Sequence, residues 1–273
     1  MSDFWVHDFN GFKMVLDKTD LDFSRQVLML GNYATESHES QIFEKRLRKD
    51  QTVLDLGANI GYYSLLARSI VGSGGNIFSF EPSTENTSLI KKSIKENKFE
   101  NITVVEAAVS DHDGYGSLFL SPYYKSEHSV FEYHYSSGDH KGDAQKIKLV
   151  TVDSFLENQA DLSVDVIKMD VEGSEKKALD GMKKTIEFNK KLTLITEFWP
   201  QGFANAGIEP KEFLETLTSL GFAIFHIDEF LQKTYPVSIN EMSKLVKERM
   251  DNPVEKTKEN QSGRWYTNLL CVK

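Results

Sequence analysis

The chain has 273 residues and a formal net charge of −9 at pH 7. This acidic balance disfavours a broad phosphate-binding surface, so a nucleic-acid partner is not expected. Cys271 is the single cysteine, which excludes an internal disulfide and a site built from several cysteines. No apolar run approaches the roughly 20 residues of a membrane helix, and the first residues lack the basic-then-apolar order of a signal peptide. We therefore expect a cytoplasmic protein without a membrane span.

The N-terminal part of the chain predicts a small cap in front of the main domain. Short alternating segments in the first 35 residues predict a β-rich unit, and residues 36–48 predict an amphipathic helix. We therefore expect residues 1–50 to form the cap and its helix. Residues 51–273 are expected to form the main domain, packed with the cap as a single compact unit.

After the cap, strands alternate with helices. The predicted strands are residues 52–56, 76–80, 102–105, 164–169, 192–198, 222–227 and 265–272. The predicted helices are residues 62–71, 83–97, 174–184 and 210–220. Short apolar strands separated by helices are typical of an α/β fold with a mostly parallel, doubly wound sheet and helices on both faces.

Two insertions interrupt this alternation. Residues 111–150 contain two predicted strands, 117–120 and 146–150, and are expected to form a β-hairpin-like insertion. Residues 238–263 are highly charged and predict a surface helix followed by a loop. The aromatic residues of the first insertion could form the floor of an acceptor pocket, or they could pack the long loop down. They are Tyr123, Tyr124, Phe131, Tyr133 and Tyr135.

The most informative segment is VLDLGANIGYYSLLA, residues 53–67. A strand runs directly into the turn from Gly57 to Gly61 and then into a helix. Such a turn lets the backbone approach a ligand closely and points the helix N-terminus at it. Glu81 ends the next strand, where an acidic side chain can bind ribose hydroxyls. The segment therefore predicts a binding site for a nucleotide-like ligand.

Asp55 distinguishes between two ligand classes for this turn. Dinucleotide enzymes favour the spacing G-x-G-x-x-G, with a pyrophosphate on the helix N-terminus, and this spacing is absent between Gly57 and Gly61. A carboxylate two residues before the first glycine would repel a pyrophosphate. It would attract the ammonium and sulfonium groups of S-adenosylmethionine, which we therefore expect as the cofactor.

Four segments of the sequence carry a family resemblance. They are VLDLGANIGYYSLLA, FSFEPSTENTSLIKKSIKEN, VVEAAVSDHDG and VDVIKMDVEGSEKKALDGM. Together they resemble the FkbM family of S-adenosylmethionine-dependent methyltransferases. The most specific part is D-x-E-G-x-E, residues 170–175, followed by Gly181. The upstream segment GNYATE, residues 31–36, is similar to another motif of the family, but two residues separate its tyrosine from its glutamate. The resemblance covers roughly residues 31–198.

The resemblance implies a class I methyltransferase fold, a Rossmann-like architecture with a seven-stranded sheet whose last strand is antiparallel. It also implies methyl transfer from S-adenosylmethionine, usually to a hydroxyl group of a sugar, a polyketide or another small metabolite. The residues that it implies for cofactor binding are Glu36, Asp55, Gly57, Ala58, Asn59, Gly61, Tyr62, Glu81, Pro82, Ala107, Ala108 and Asp170.

The candidate catalytic residues are Asp170, Glu172 and Glu197. A hydroxyl acceptor has to be aligned with the methyl group and has to lose its proton, and Asp170 is the first candidate for the base. Glu172 and Glu175 could instead cap a helix N-terminus, and Glu197 could be a buried carboxylate with a structural partner. Asp170, Glu172 and Glu197 could also bind Mg²⁺, although nothing in their spacing requires a metal.

Several alternatives stay open at this point. His38 and His128 could reach the site or could be packing residues. An RNA or protein methyltransferase could use the same fold, although the N-P-P-Y-type tetrad of base aminomethylation is absent. A dinucleotide oxidoreductase is opposed by Asp55. A non-catalytic partner subunit that keeps the cofactor fold is a further alternative, which intact Asp55, Glu81 and Asp170 disfavour.

Overall fold

The computed structural model describes residues 4–9, 11–20, 23–31, 37–120, 128–131, 143–159, 162–251 and 265–273. The strands are β1 (Phe4–Phe9), β2 (Phe12–Asp17), β3 (Thr52–Leu56), β4 (Asn76–Phe80), β5 (Ile102–Val105), β6 (Ala108–Val109), β7 (Gly114–Phe119), β8 (Ala144–Val150), β9 (Val166–Met169), β10 (Thr193–Phe198), β11 (Ala223–Asp228), β12 (Lys233–Pro236) and β13 (Thr267–Val272). The helices are α1 (Phe23–Leu30), α2 (Ser37–Arg46), α3 (Tyr62–Val71), α4 (Thr84–Asn97), α5 (Val152–Glu157), α6 (Glu175–Asp180), α7 (Lys183–Phe188), α8 (Pro200–Asn205), α9 (Pro210–Ser219) and α10 (Ile239–Asp251).

The central sheet has eight strands in the order β12-β11-β13-β10-β9-β3-β4-β5. The neighbours β10, β9, β3, β4 and β5 pair in parallel, and β13 is antiparallel to both β10 and β11. This arrangement confirms the expected doubly wound sheet with an antiparallel last strand. From β3 the chain adds β4 and β5 on one side and later β9 on the other. The order of the strands therefore reverses beside β3, and ligands of open α/β sheets bind at the carboxyl ends of the strands at such a point.

The central sheet has eight strands where seven were predicted, and the additional strand is β12. Strand β12 is short and mostly exposed, pairs only with β11 in the central sheet, and ends at Pro236. Proline is tolerated on an edge strand because the missing N–H can face away from the ladder. The sequence KTYP has no apolar alternation, so periodicity alone could not identify it.

Two short helices replace the single helix that was predicted for residues 174–184. The chain breaks at Gly181, between α6 and α7. A Cβ atom on Gly181 would overlap the carbonyl oxygen of Ser110, so the backbone here packs directly against another segment. Helices α5 and α8 were not predicted either; each has six residues, too few to show a helical period.

Apolar side chains cover both faces of the central sheet. Along β3, Leu54 and Leu56 belong to one buried cluster, which includes residues of α6, α9 and α10. Val53 belongs to the other, which includes residues of α1, α2, α3 and α4. This alternation is the period of two expected for a strand buried on both faces. The polar residue Asp55 therefore points to the face that α2 and α3 cover.

The N-terminal residues form an antiparallel hairpin, β1 and β2, that packs on α4. The backbone N–H of Val15 donates to Ser93 Oγ at 2.9 Å, and that of Lys13 donates to Asn97 Oδ1 at 2.7 Å. The hairpin agrees with the β-rich unit predicted for the first 35 residues, but α1, at residues 23–30 of the same stretch, was not predicted. Helix α2 begins one residue after the predicted start of its helix. The division into a cap at residues 1–50 and a main domain at residues 51–273 stays a prediction.

The first insertion forms a small separate sheet. Strands β7 and β8 pair antiparallel, as expected for a hairpin, and β6 adds to β8 in parallel. The ammonium group of Lys177 lies 4.8 Å from the centre of the Phe131 ring. The other aromatic residues singled out in this insertion, Tyr123, Tyr124, Tyr133 and Tyr135, lie outside the described residues.

The second insertion contains the predicted charged helix, α10, and residues 252–263 lie outside the described part of the chain. Met242 on this helix is buried in the main core. No helix within the described ranges has the length and hydrophobicity to cross a membrane.

Candidate functional site

The turn after β3 is shaped by glycine. Gly57 has a φ of 81°, in the left-handed region, and its N–H donates to the carbonyl oxygen of Phe80 at 2.9 Å. A Cβ atom on Gly57 would overlap the carbonyl oxygen of Asp170. The turn therefore packs directly against the end of β9, which only glycine permits at this position.

Glu81 lies at the carboxyl end of β4, and donors from three residues surround its carboxylate. The N–H groups of Asn59 and Ser83 each donate at 2.9 Å, and the side-chain amide of Asn86 donates at 3.4 Å. Burial raises the pKa of Glu81 to about 7, although these hydrogen bonds lower it. The carboxylate is thus fixed in one orientation at the position predicted for ribose recognition.

A cavity lies between the glycine turn, Glu81 and the end of β9, and we call it the central cavity. The residues predicted for cofactor binding that line it are Gly57, Asn59, Glu81, Pro82, Ala107, Ala108 and Asp170. Because these residues come from four separate segments of the chain, after β3, β4, β5 and β9, their convergence supports a common ligand. Glu172, predicted as catalytic, also lines this cavity.

The cavity has further lining residues, of which the sequence indicates only His128. The small sheet of the first insertion contributes Leu118, and the segment after it contributes His128 and Val130. Asn86 Oδ1 and Ser174 Oγ are buried and have no hydrogen-bond partner among the described residues. Both residues line the cavity, so a polar ligand there would satisfy atoms that otherwise cost free energy.

Other predicted cofactor residues do not reach the cavity wall. Ala58 and Gly61 belong to the turn but do not line the cavity. The ring of Tyr62 contacts those of Phe9, Phe12 and Phe23, on the N-terminal segment. Glu36 lies outside the described residues.

Asp55 lies beneath the turn rather than on the cavity wall. It is 2% exposed and accepts a hydrogen bond from Ser64 Oγ at 2.5 Å, and that hydroxyl also contacts Ser79 Oγ at 2.5 Å. Burial raises the pKa of Asp55 to about 6, although the Ser64 hydrogen bond and the Lys168 charge lower it. In the structure Asp55 is linked to α3 through Ser64, and its contact with the cofactor stays a prediction.

Asp170 follows β9, and its side chain is 29% exposed, in contrast to the buried Asp55, Glu81, Glu175 and Glu197. Its Oδ2 lies 3.5 Å from the ammonium group of Lys168. Since Asp170 lines the cavity beside Gly57, a partly solvated carboxylate faces the cavity.

The turn after Asp170 is held from inside by Glu175. Its Oε1 accepts hydrogen bonds from the N–H groups of Val171 at 3.1 Å and Gly173 at 3.4 Å. Glu175 was expected to cap the N-terminus of a helix; in the structure it accepts instead from N–H groups of the turn that precedes α6. Burial raises the pKa of Glu175 to about 7, and the charge of Asp170 adds to the increase.

Glu172 occupies a strained position in the same turn, with a φ of 52°. Its carbonyl oxygen accepts a hydrogen bond from Ser129 Oγ at 2.9 Å. The turn is thereby joined to the first insertion, which covers the cavity.

Three carboxylates lie close enough to share a cation. One oxygen atom each from Asp170, Glu175 and Glu197 lies within 4.8 Å of the other two. The sequence predicted Asp170, Glu172 and Glu197 as candidate Mg²⁺ ligands. In the structure Glu175, and not Glu172, lies close to Asp170 and Glu197. Glu197 is 3% exposed and does not line the central cavity. A group of carboxylates is not by itself evidence of a metal.

The two candidate histidines differ in position. His128 lines the central cavity, whereas His38 is buried in α2, and its Nε2 lies 3.1 Å from Thr234 Oγ1. His128 therefore stays a candidate site residue, and His38 is a packing residue.

A second cavity, of about 300 Å³, lies at the same end of the sheet, where the parallel strands have their carboxyl ends, and we call it the edge cavity. It lies where β11 ends and β13 begins, and Thr267 of β13 pairs with Phe198 at the end of β10. Its lining combines aromatic rings with charged groups. The residues include Asp228, Glu229, Phe230, Tyr235, Arg249 and Trp265.

The sequence matches the Methyltransferase FkbM domain over residues 55–233, which is more than half of the chain. No curated protein matches it. Among solved structures, the methyltransferase FkbM from Methylobacillus flagellatus KT aligns at 16% identity and a TM-score of 0.46, covering 92% of this chain and 55% of that one.

Two further solved structures illustrate the range of similar proteins. The SAM-dependent O-methyltransferase from Thermotoga maritima aligns at 12% identity and a TM-score of 0.45, covering 91% of this chain and 69% of that one. The tRNA (uracil-54, C5)-methyltransferase from Pyrococcus abyssi, in complex with S-adenosyl-L-homocysteine, aligns at 9% identity and a TM-score of 0.47, covering 100% of this chain and 45% of that one. The match over residues 55–233, with the strand order of the sheet, shows that the chain belongs to the FkbM family of S-adenosylmethionine-dependent methyltransferases.

Proposed function

We propose that the chain transfers a methyl group from S-adenosylmethionine to a hydroxyl group of a sugar, a glycan or a similar small metabolite. The observation that carries the proposal is the central cavity, in which Glu81 and Asp170 present carboxylates from either side of the Gly57 turn. One carboxylate suits a ribose and the other suits a reacting hydroxyl, and both face the same ligand.

The residues of the central cavity fit the cofactor. Glu81 is positioned to accept hydrogen bonds from the ribose hydroxyls, and Ala107 and Ala108 leave space for the adenine beside the backbone. Asn86 and Ser174 each offer a buried polar atom that the described protein residues leave without a partner. When bound, S-adenosylmethionine supplies a methyl group on a sulfonium, and the carbon–sulfur bond breaks as the carbon–oxygen bond forms.

Asp170 is the proposed general base. An alcohol is a poor nucleophile while protonated, so a carboxylate that accepts its proton during the transfer promotes the reaction. The Asp170 carboxylate is partly exposed within the cavity, as this role requires. The other carboxylates nearby, Glu175 and Glu197, are buried and are proposed to support the site rather than to contact the acceptor.

A divalent cation is an alternative means of activating the acceptor. Oxygen atoms from Asp170, Glu175 and Glu197 are close enough to contact one ion, and Mg²⁺ prefers oxygen ligands. Turnover that is lost in EDTA and restored by Mg²⁺ would favour this version, and turnover that is unchanged in EDTA would exclude it.

The edge cavity supports a sugar-like acceptor. Its aromatic rings offer flat apolar surfaces, and its carboxylates and Arg249 offer hydrogen-bond partners for hydroxyl groups. Neighbouring strands are about 4.8 Å apart, so β13 lies about 10 Å across the sheet from β9. An elongated acceptor could therefore rest in the edge cavity and present a hydroxyl group to Asp170.

The experiment that tests this function is a product screen with S-adenosylmethionine labelled on the methyl group. Sugars, glycolipids, RNA and protein extracts would be incubated separately with the wild-type chain. We expect the label in the sugar or glycolipid fraction as a methyl ether. Label in RNA or in protein would favour an RNA or a protein methyltransferase. The net charge of −9 disfavours RNA as the acceptor. No transfer, with the cofactor bound, would favour a non-catalytic partner subunit.

A further inference from the structure

Lys168 is a charged side chain in the core, directly beneath the proposed catalytic carboxylate. Its side chain is 1% exposed. Its ammonium group lies 3.0 Å from Glu39 Oε1 and 3.5 Å from Asp170 Oδ2, and 5.0 Å from the centre of the Tyr63 ring. The lysine therefore joins a carboxylate of α2 to the carboxylate at the end of β9.

The Glu39 end of this connection is firmly anchored. Glu39 is fully buried, and its Oε2 accepts a hydrogen bond from the side-chain amide of Asn268 at 2.6 Å. Its backbone N–H donates to Glu229 Oε1 at 2.6 Å. Because β13 and the segment after β11 both hold Glu39, the ammonium group of Lys168 has a fixed position beneath Asp170.

The Asp170 end is less constrained by its surroundings. Its side chain is partly exposed, whereas Lys168 and Glu39 are buried. Attraction between opposite charges grows as water is excluded, so the buried ammonium group favours one orientation of the Asp170 carboxylate. A lysine with a purely structural role would need only the ion pair with Glu39. The second contact, with Asp170, therefore suggests that Lys168 also has a role in the site.

We propose that Lys168, anchored by Glu39, is a positioning residue that holds the Asp170 carboxylate in the orientation needed to accept the acceptor proton. The proposal rests on the methyl-transfer function proposed above. It assigns α2 a role at the site, because the anchor of the lysine is a residue of that helix. Loss of the ammonium group leaves Asp170 in place along the chain but free to rotate, which lowers turnover more than cofactor affinity.

Two variants separate the effect of Lys168 on the orientation of Asp170 from its effect on protein stability. Lys168→Met removes the charge at nearly constant volume and leaves Glu39 buried without its cation, so we expect a lower melting temperature. The double variant Lys168→Met with Glu39→Gln neutralises both partners, so we expect its melting temperature to recover most of the loss. In both variants we expect kcat to fall tenfold or more, since small misplacements of a catalytic group are costly, while the Kd for S-adenosylmethionine changes less than threefold. A double variant that recovers kcat together with its melting temperature would overturn the proposal, because the lysine would then be purely structural.

A crystal structure of the double variant with S-adenosylhomocysteine provides a readout that needs no acceptor. We expect the Asp170 side chain in a different rotamer, or in two, whereas the wild-type complex shows one. An unchanged Asp170 carboxylate would overturn the proposal even if turnover fell. Failure of the proposed function is recognised separately, as an absence of methyl transfer by the wild-type chain.

Discussion

Glu81 and Asp170 show how two carboxylates at the same end of one sheet are prepared for different tasks. Glu81 is buried and accepts hydrogen bonds from the backbone N–H groups of Asn59 and Ser83, which fix its direction and suit it to binding. Asp170 is partly exposed and lines the cavity, which suits it to the proposed contact with an acceptor hydroxyl. The surroundings, rather than the residue type, assign the two roles.

The first prediction concerns a single residue, Asp170. Asp170→Asn keeps the shape of the side chain but removes the group that accepts a proton. We expect kcat to fall by about 10²- to 10⁴-fold, the usual contribution of a general base, and the Kd for S-adenosylmethionine to change only a few-fold. Turnover with the acceptor from the product screen and calorimetry with the cofactor measure the two effects. Full turnover of the variant would remove Asp170 as the base.

The second prediction concerns the pH dependence of stability through Glu81. Burial raises its folded-state pKa from 4.5 to about 7, so folding favours the protonated form. The stability that this group contributes is fully present below about pH 4.5 and is lost as the pH rises through about 7. We expect the melting temperature of the ligand-free chain to fall less between pH 5.5 and pH 8 in Glu81→Gln than in the wild type.

Glu106→Gln is the matched control for this comparison. Glu106 is more exposed, and hydrogen bonding with Thr84 lowers its pKa, so its replacement should not flatten the fall in melting temperature. Melting curves of the three proteins in a series of buffers provide the measurement. If Glu81→Gln kept the full wild-type slope, the raised pKa of Glu81 would be wrong.

At the scale of elements, the third prediction tests the close contact between the glycine turn and β9. Gly57 and Gly207 both have a left-handed φ, 81° and 73°, but only at Gly57 would a Cβ atom overlap backbone. Left-handed strain costs about 1 to 3 kcal/mol, and we expect Gly207→Ala to lose about that amount. Gly57→Ala should lose more and should also weaken cofactor binding. Denaturant unfolding measures the difference, and equal losses in the two variants would contradict the contact.

The fourth prediction concerns the elements that form the edge cavity. Trp265→Ala removes a large ring from its wall, and we expect the KM for the acceptor to rise about tenfold, which corresponds to about 1.4 kcal/mol. The Kd for S-adenosylmethionine should stay unchanged. Tyr115→Ala, at a ring that is 72% exposed outside the edge cavity, is the control and should leave the KM unchanged. An unaltered KM in Trp265→Ala would exclude the edge cavity as the acceptor site.

The sequence predicted the elements best where their pattern is strongly periodic or bounded by glycine. Strands β3, β4 and β5 and helix α3 begin and end at the predicted residues, because apolar runs and turn residues define both ends. Strand β12 and the break at Gly181 could not be predicted. The first has no apolar alternation, and the second depends on contact with Ser110, which is distant in the sequence.

For the whole molecule, the family motif indicated which part of the chain carries the site but not how each residue is used. Asp55 lies behind the turn, hydrogen-bonded to Ser64, and is not among the residues that line the central cavity. Glu175 and not Glu172 approaches Asp170 and Glu197. The side of the sheet to which each carboxylate points depends on strand register and on a left-handed turn, and neither is written in the spacing of the motif.

The fold as a whole brings buried carboxylates to one end of the sheet with Lys168 as a buried cation. Burial raises the pKa of Asp55, Glu81 and Glu175 above their ordinary values. Of the carboxylates at this end of the sheet, Glu81 and Asp170 line the central cavity, and carboxylates there attract a cationic group and repel a pyrophosphate. This favours S-adenosylmethionine, with its sulfonium and ammonium groups, over a dinucleotide that carries a pyrophosphate.

We expect the cavity between Gly57, Glu81 and Asp170 to bind S-adenosylmethionine. Titration calorimetry of the wild-type chain with S-adenosylmethionine, S-adenosylhomocysteine and NADH measures this binding, with Glu81→Gln measured alongside. We expect one binding site for each of the first two ligands, weaker binding by the variant, and no heat with NADH. Binding of NADH without binding of S-adenosylmethionine or S-adenosylhomocysteine would contradict this expectation.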